Sequence, residues 1–179
     1  MNQKELKELL EYSPKTGLMR WISARGGCGK GAPAGCTTYY GYIQVRISGR
    51  SYAAHRLAWL YMTGSFPKDE IDHINGDRGD NRWINLRQVS KAENRKNAAI
   101  PRRSTSGVIG VNWDKHAGKW LARITVDKHV IYLGGFLDME SARVARKLGE
   151  EKYGFHPNHG RENTNPKRRL PINEPEMTA

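Results

Sequence analysis

One stretch constrains this chain more than any other. It runs Ile71-Asp72-His73-Ile74-Asn75-Gly76-Asp77, continues as Asn81-Arg82-Trp83-Ile84-Asn85-Leu86-Arg87, and closes on Ser90-Lys91-Ala92-Glu93-Asn94-Arg95-Lys96-Asn97. Residues 71–89 read as a hairpin-like excursion with a polar, glycine-containing middle. Ser90 followed by Glu93 is a capping box, so a helix starts there and carries Asn94 on its first or second turn. A strand pair followed by a helix is therefore written into one short unit. That unit gathers an acid, a histidine and spaced asparagines.

These residue types suit one chemistry. Hydrolysis of a phosphodiester near neutral pH needs a water deprotonated, charge on the phosphoryl oxygens stabilised and the leaving alkoxide neutralised. Histidine suits the first task because its ordinary pKa lies near neutrality. A Mg²⁺ held by carboxylate and amide oxygens suits the other two. Asp72 and His73 are neighbours, and in a regular strand they would point to opposite faces. The strand must therefore end or twist here, and Asn75, Gly76 and Asp77 supply the turn chemistry. Asn94 offers a hard amide oxygen, Asn97 one turn later is an alternative, and Asn85 is placed to fix the loop and orient His73.

The rest of the chain agrees with a polyanionic partner. It carries 30 Lys+Arg against 18 Asp+Glu, a formal net charge of +12 over 179 residues, which is the footprint of a nucleic-acid binder. The charge is spread, with net +7 in residues 1–100 and net +7 again in 101–170. No apolar run approaches the roughly 18 residues of a membrane span, and no signal-peptide core opens the chain, so a cytoplasmic protein is expected. Cys28 and Cys36 fit no common zinc spacing and read as free thiols.

Other elements follow from local patterns. Asn2 to Glu5 is a second capping box, opening a helix with Leu6, Leu9 and Leu10 at helical spacing. Leu18–Ile22 reads as a strand and residues 24–36 as a loop. Tyr42–Ile47 and Ser51–Ala54 read as a hairpin turned at Ser48-Gly49, and His55–Met62 as a helix stopped by Gly64. Ile100–Ser106 looks like a linker. Val108–Trp113, Lys119–Val126 and His129–Leu133 read as three strands. A helix capped by Asp138 follows to about Tyr153, with Ala142, Ala145 and Leu148 as its sheet-facing side. From Arg161 onward, proline, asparagine and charge predict a loosely ordered tail, in which Lys167-Arg168-Arg169 adds weak phosphate affinity at most.

With those residues in view, two family resemblances stand out. Asp72-His73, Asn85 and Asn94 resemble the ββα-metal motif of HNH nucleases, in the subgroup with Asn as third signature residue. Tyr12–Gly17, Gly41-Tyr42-Ile43, Ala54–Trp59, Asp72–Asp77 and Asp80–Trp83 resemble, in order, free-standing phage HNH homing-type endonucleases over about residues 5–97. That resemblance implies Asp72 and Asn94 as metal ligands, His73 as general base, Asn85 as its orienting residue, and one Mg²⁺ or Mn²⁺ per site. Residues 107–156 resemble the Apetala-type DNA-binding domain of ethylene-response factors, through Ser106–Val111, Gly118–Ile124, Leu133–Phe136 and Ala142–Lys147. That implies a three-stranded sheet in the major groove, backed by a helix, with Lys115, Lys119, Arg123 and Lys128 beside Trp113 and Trp120 as DNA contacts.

The expected architecture is thus α+β: an HNH nuclease domain over 1–100, a linker over 101–105, an Apetala-type domain over 106–160 and a tail over 161–179. The expected function is a divalent-metal-dependent endonuclease acting on double-stranded DNA as a monomer. Arg56, Arg82 and Arg87 are its further candidate phosphate contacts, each also able to pair with a nearby acid. The competing expectation is a DNA-binding regulator or recombination accessory with an inactive nuclease fold.

Overall fold

The computed structural model describes residues 1–101 and 103–162 and mixes short helices with small antiparallel sheets. The basic run at 167–169 lies outside the described residues. The chain opens with α1 (Gln3–Leu9), and the Asn2 side chain accepts from the Glu5 amide while Glu5 accepts back from Asn2. Leu6 and Leu10 are fully buried. β1 (Leu10–Tyr12) and β2 (Met19–Trp21) then form a hairpin. β3 (Cys36–Thr37), β4 (Ile43–Ile47) and β5 (Arg50–Ala53) form a three-stranded sheet in that order. Its β4–β5 turn places Ser48 at φ 48° and Gly49 at φ 81°, the left-handed pair that a tight two-residue hairpin turn requires. α2 (Ala54–Thr63) stops at left-handed Gly64. Leu57, Leu60, Val45 and Ile47 join Leu6 and Leu10 in one core.

The central unit follows. β6 (Glu70–His73) pairs antiparallel with β7 (Leu86–Val89), so that Asp72 lies opposite Arg87 and His73 opposite Leu86. A single 3-10 turn at Trp83–Asn85 leads into β7. α3 (Lys91–Arg95) begins at Ser90 with both halves of its capping box formed. It is only one and a half turns long, and the chain turns tightly after it, Asn97 N donating to Asn94 O at 3.1 Å.

The N-terminal hairpin buttresses the loop between β6 and β7. Tyr12 donates to Asn81 O at 2.7 Å, and Trp83 N donates to Pro14 O at 2.9 Å. Gly17 sits at φ +74°, and a Cβ there would fall 2.5 Å from the Asn81–Arg82 backbone. Only glycine permits that approach.

β8 (Val111–Asp114), β9 (Lys119–Val126) and β10 (His129–Phe136) form a second sheet in the order β10-β9-β8, backed by α4 (Met139–Lys152). Alternation holds along β9: Ala122 and Ile124 are buried, whereas Arg123 and Thr125 are exposed. Ala142 and Ala145 pack toward the sheet as expected, but Leu148 does not. Leu148 is 60 % exposed, and the buried positions are Ala142, Arg146, Gly149 and Glu150. Gly149 lies there because Leu133 packs against its Cα, and Arg146 reaches under the sheet to donate to Arg123 O at 2.8 Å.

Residues 163–179, most of the expected tail, lie outside the described residues. Residues 155–161 return to the first unit: His156 N donates to Lys96 O, Gly160 N to Ala98 O, and Ile100 N to Arg161 O, at 2.9–3.0 Å. Arg161, expected to begin the loose tail, is tied down by these bonds. His159 is buried against Arg146 and Glu150, its Nε2 lying 3.2 Å from Arg146 Nη2.

Two outcomes follow. Tyr12→Phe leaves the buried Asn81 carbonyl short of its donor and lowers stability by about 1–3 kcal/mol, read from denaturant melts with an unchanged slope. Burial and the neighbouring Arg146 push His159 down to about 4, below the ordinary 6.5, so the unfolded chain binds the extra proton first. This contribution to stability is intact above pH 6.5 and is lost as pH falls toward 4; melts of His159→Gln across that window show a shallower decline than the parent.

Candidate active site

β6 ends at His73, which resolves the opposite-face problem of two adjacent residues. Both are buried, Asp72 at 7 % and His73 at 4 % exposure, but they face different partners. A buried carboxylate needs donors, and two residues supply them. Arg87, opposite in the ladder, donates through Nη2 and Nε to Asp72 Oδ2 at 2.8 and 3.0 Å. Asn97 Nδ2 donates to the carboxylate at 3.0–3.1 Å and also lies within 3.5 Å of the His73 and Ile74 carbonyl oxygens. Asp72 Oδ2 thus carries the guanidinium, while Oδ1 meets, among the described residues, the Asn97 amide alone.

His73 turns toward aromatic groups. Its ring is edge-on to His55, 5.1 Å between centroids, and 6.1 Å from Tyr42. Nε2 lies 3.4 Å from Asn81 Oδ1, and Asn81 Nδ2 is committed to Gly79 O at 3.1 Å. With its acceptor end turned to the ring, Asn81 selects the Nε2–H tautomer and leaves Nδ1 as the basic nitrogen. Burial lowers the His73 pKa, opposed by the Asn81 bond and the charges of Asp72, Asp77 and Asp80. His55 is driven further, to about 4, by burial, His73 and Arg56. Both imidazoles are therefore neutral near pH 7.

The asparagines divide their tasks. Asn85 reaches no atom of His73. Its Oδ1 accepts from Asn75 N at 2.9 Å, its Nδ2 donates to Asp80 O at 2.8 Å, and its carbonyl accepts from Ile74 N. It spans the 74–80 loop and sets His73 only through that loop, while Asn81 makes the direct contact. Asn94 Nδ2 donates to Glu70 Oε2 at 2.6 Å, and its own oxygen meets no donor among the described residues. Asn97 is the amide on Asp72.

Tyr42, Glu70, Asp72, His73, Asn94 and Asn97 line one cavity of about 600 Å³ that also receives Arg78, Lys91, Arg95 and Arg161. Four cations around Glu70 and Asp72 make it a place for an anion. The donors also suit a hard cation. Among the described residues no three His, Cys, Asp or Glu side chains converge, so side chains alone do not form a closed cage. Mg²⁺ needs no such cage, because it binds through one or two carboxylates and keeps waters and substrate phosphate in its shell.

The other expected phosphate contacts lie elsewhere. Arg82 is paired bidentately with Asp80, Arg87 with Asp72, and Arg56 donates to Pro67 O at 3.4 Å. Each is engaged within the protein. Lys115, Lys119, Arg123 and Lys128 are exposed on the second sheet and its turns, outside the cavity. In the β8–β9 register Trp113 pairs with Trp120 and Asp114 with Lys119. Lys119 and Arg123 therefore share the outer face, and the two tryptophans lie on the face of α4. Sequence reading gave no role to Tyr42, Asn81, Glu70 and Arg161, although Tyr42 and Asn81 lie in motifs that carry the resemblance and Glu70 stands at strand spacing from Asp72.

Residues 52–96 match the HNH endonuclease family. Asp72, His73, Asn85 and Asn94 all fall inside the matched span, with Asn97 one residue beyond it. Protein 3.8 of Escherichia phage T7 is 34 % identical over 74 residues, 41 % of this chain and 61 % of that protein. The chain therefore spans about three fifths of this relative. A solved structure described as DNA binding and cleavage by the HNH homing endonuclease I-HmuI is similar over 85 % of each chain, at 19 % identity and a TM-score of 0.43. Among the described residues no helix is long and apolar enough to cross a membrane.

Proposed function

We propose that this protein is a divalent-metal-dependent endonuclease that hydrolyses phosphodiester bonds of duplex DNA. The observation that carries the reading is the pairing of a neutral, tautomer-fixed His73 with a donor-ringed Asp72 at the wall of a cationic cavity. His73 Nδ1 takes the proton of the attacking water as general base. Asn81 holds the ring in that tautomer, and Asn85 holds the loop that carries Asn81. Asp72 and the unengaged amide oxygen of Asn94 would hold one Mg²⁺ or Mn²⁺, with Asn97 and Arg87 orienting the carboxylate. When bound, the metal supplies charge stabilisation on the phosphoryl oxygens and the leaving alkoxide. The exposed Lys119 and Arg123 of the second sheet, with Lys115 and Lys128 at its turns, add duplex affinity and some sequence preference. One such cavity per chain suffices for a monomer to nick.

His73→Ala is expected to slow nicking of supercoiled plasmid by about 10²- to 10⁴-fold with DNA affinity nearly unchanged; near-parental cutting would sink the assignment. The amide roles separate in Mg²⁺ titrations of cleavage. Asn94→Ala loses the normal metal response and Asn94→Asp keeps it, whereas Asn97→Ala slows cleavage with the response retained. The opposite pattern would make Asn97 the ligand.

A further inference from the structure

Arg161 lies 64 residues beyond Asn97, past the whole second sheet, yet its side chain lines the nuclease cavity. We propose that Arg161 is a phosphate-contacting residue of that cavity, delivered by the 155–161 strap, so that the second unit completes the site it was expected only to anchor. The proposal rests on the endonuclease reading and extends it.

The strap is built for placement. At its α4 end Phe155 N donates to Glu150 O at 2.9 Å, and the Phe155 ring meets the His159 ring at 4.8 Å and the Arg146 guanidinium at 5.4 Å. On the first unit Lys96 Nζ donates to Tyr153 O at 3.1 Å and Asn158 Nδ2 to Ile74 O at 2.9 Å, beside the three backbone bonds to residues 96–100. The strap is therefore fastened to the end of α3 and to the loop following His73.

The guanidinium itself is half committed. Nη1 donates to Asn97 O at 2.6 Å, with Asn97 Oδ1 at 3.1 Å and Asn158 O at 3.2 Å. Nε and Nη2 meet no acceptor among the described residues. Asp72 is paired with Arg87 rather than with Arg161, so no ion pair among the described residues consumes the charge of Arg161. The guanidinium lies across the Cα of Gly76, where a Cβ would collide with Nε, Cζ and Nη2. Gly76, at φ +76°, leaves that space open. A planar fork, braced at one nitrogen with two donors free at a cavity wall, matches the bidentate geometry of a phosphate. A strut that only tied the strap to Asn97 would need Nη1 alone.

The test uses the full chain in single-turnover plasmid nicking at saturating DNA with Mg²⁺, alongside thermal melts. Arg161→Ala is expected to slow cleavage by about 10- to 100-fold, the worth of a hydrogen bond to a charged group, with little change in melting temperature. Arg161→Lys recovers only part of the rate, and free guanidinium restores part of the Arg161→Ala rate. Unchanged cleavage in Arg161→Ala overturns the proposal and leaves the nuclease reading standing. Cleavage and melting temperature falling together in both variants, with no response to guanidinium, also overturn it, because the residue is then only a strut. A parent chain that nicks no DNA overturns both readings.

Discussion

The buried carboxylate of Asp72 is the constraint around which the rest is arranged. An ionised group at 7 % exposure survives only if donors surround it. Each donor comes from a different piece of chain, so satisfying it fixes three pieces at once. The Arg87 contact requires the β6–β7 register that sets residue 72 opposite residue 87. The Asn97 contact requires α3 to stop after five residues and turn its exit toward β6. Asn97 in turn accepts from Arg161, and that bond needs the strap. Removing any one donor leaves a charge under-solvated inside the site, so the carboxylate couples local register to long-range assembly.

His73 is governed by the opposite demand. The general-base role proposed for His73 needs a neutral ring, and burial among Tyr42 and His55 opposes protonation. Three carboxylates nearby pull the other way. The Asn81 hydrogen bond and these charges counter burial only in part, so the pKa stays below its ordinary value; Asp77 and Asp80 sit in the loop that Asn85 spans. Asn85 thus acts on the histidine through charge placement and through Asn81, while its own amide stays on backbone atoms.

Much of this was legible locally. Both capping boxes form as Asn2-Glu5 and Ser90-Glu93 predict, β9 spans the predicted Lys119–Val126, and the helix capped by Asp138 starts where its sequence indicates. These signals are short-range: a side chain bonding its own helix start, or alternation along one strand. Asn94, Asp72 and His73 meet in one cavity because they share one such unit. What escaped was set by distant partners. β1 and β3 are two or three residues long and exist through pairing. Leu148 looked like a sheet-facing residue because its neighbours are small, but the packing of Leu133 on Gly149 rotates it outward. The Asn81 contact depends on a loop path, and Arg161 reads as tail because nothing near it in sequence hints at Lys96 or Ala98.

The strap changes what the second unit contributes. A DNA-binding module on a flexible linker raises local concentration and leaves the chemistry to its partner. Here the connection is made twice, once through residues 101–105 and again through 155–161, which returns from α4 to the wall of the cavity. The second link is not a tether of arbitrary length, since seven residues run from the aromatic anchor at Phe155 to the guanidinium at Arg161, bonded along the way. A displacement of α4 would therefore be felt at Asn97, and through Asn97 at Asp72. The second sheet and the wall of the cavity are then joined by packed, hydrogen-bonded chain, with the Arg146–Glu150–His159 cluster as the joint between them.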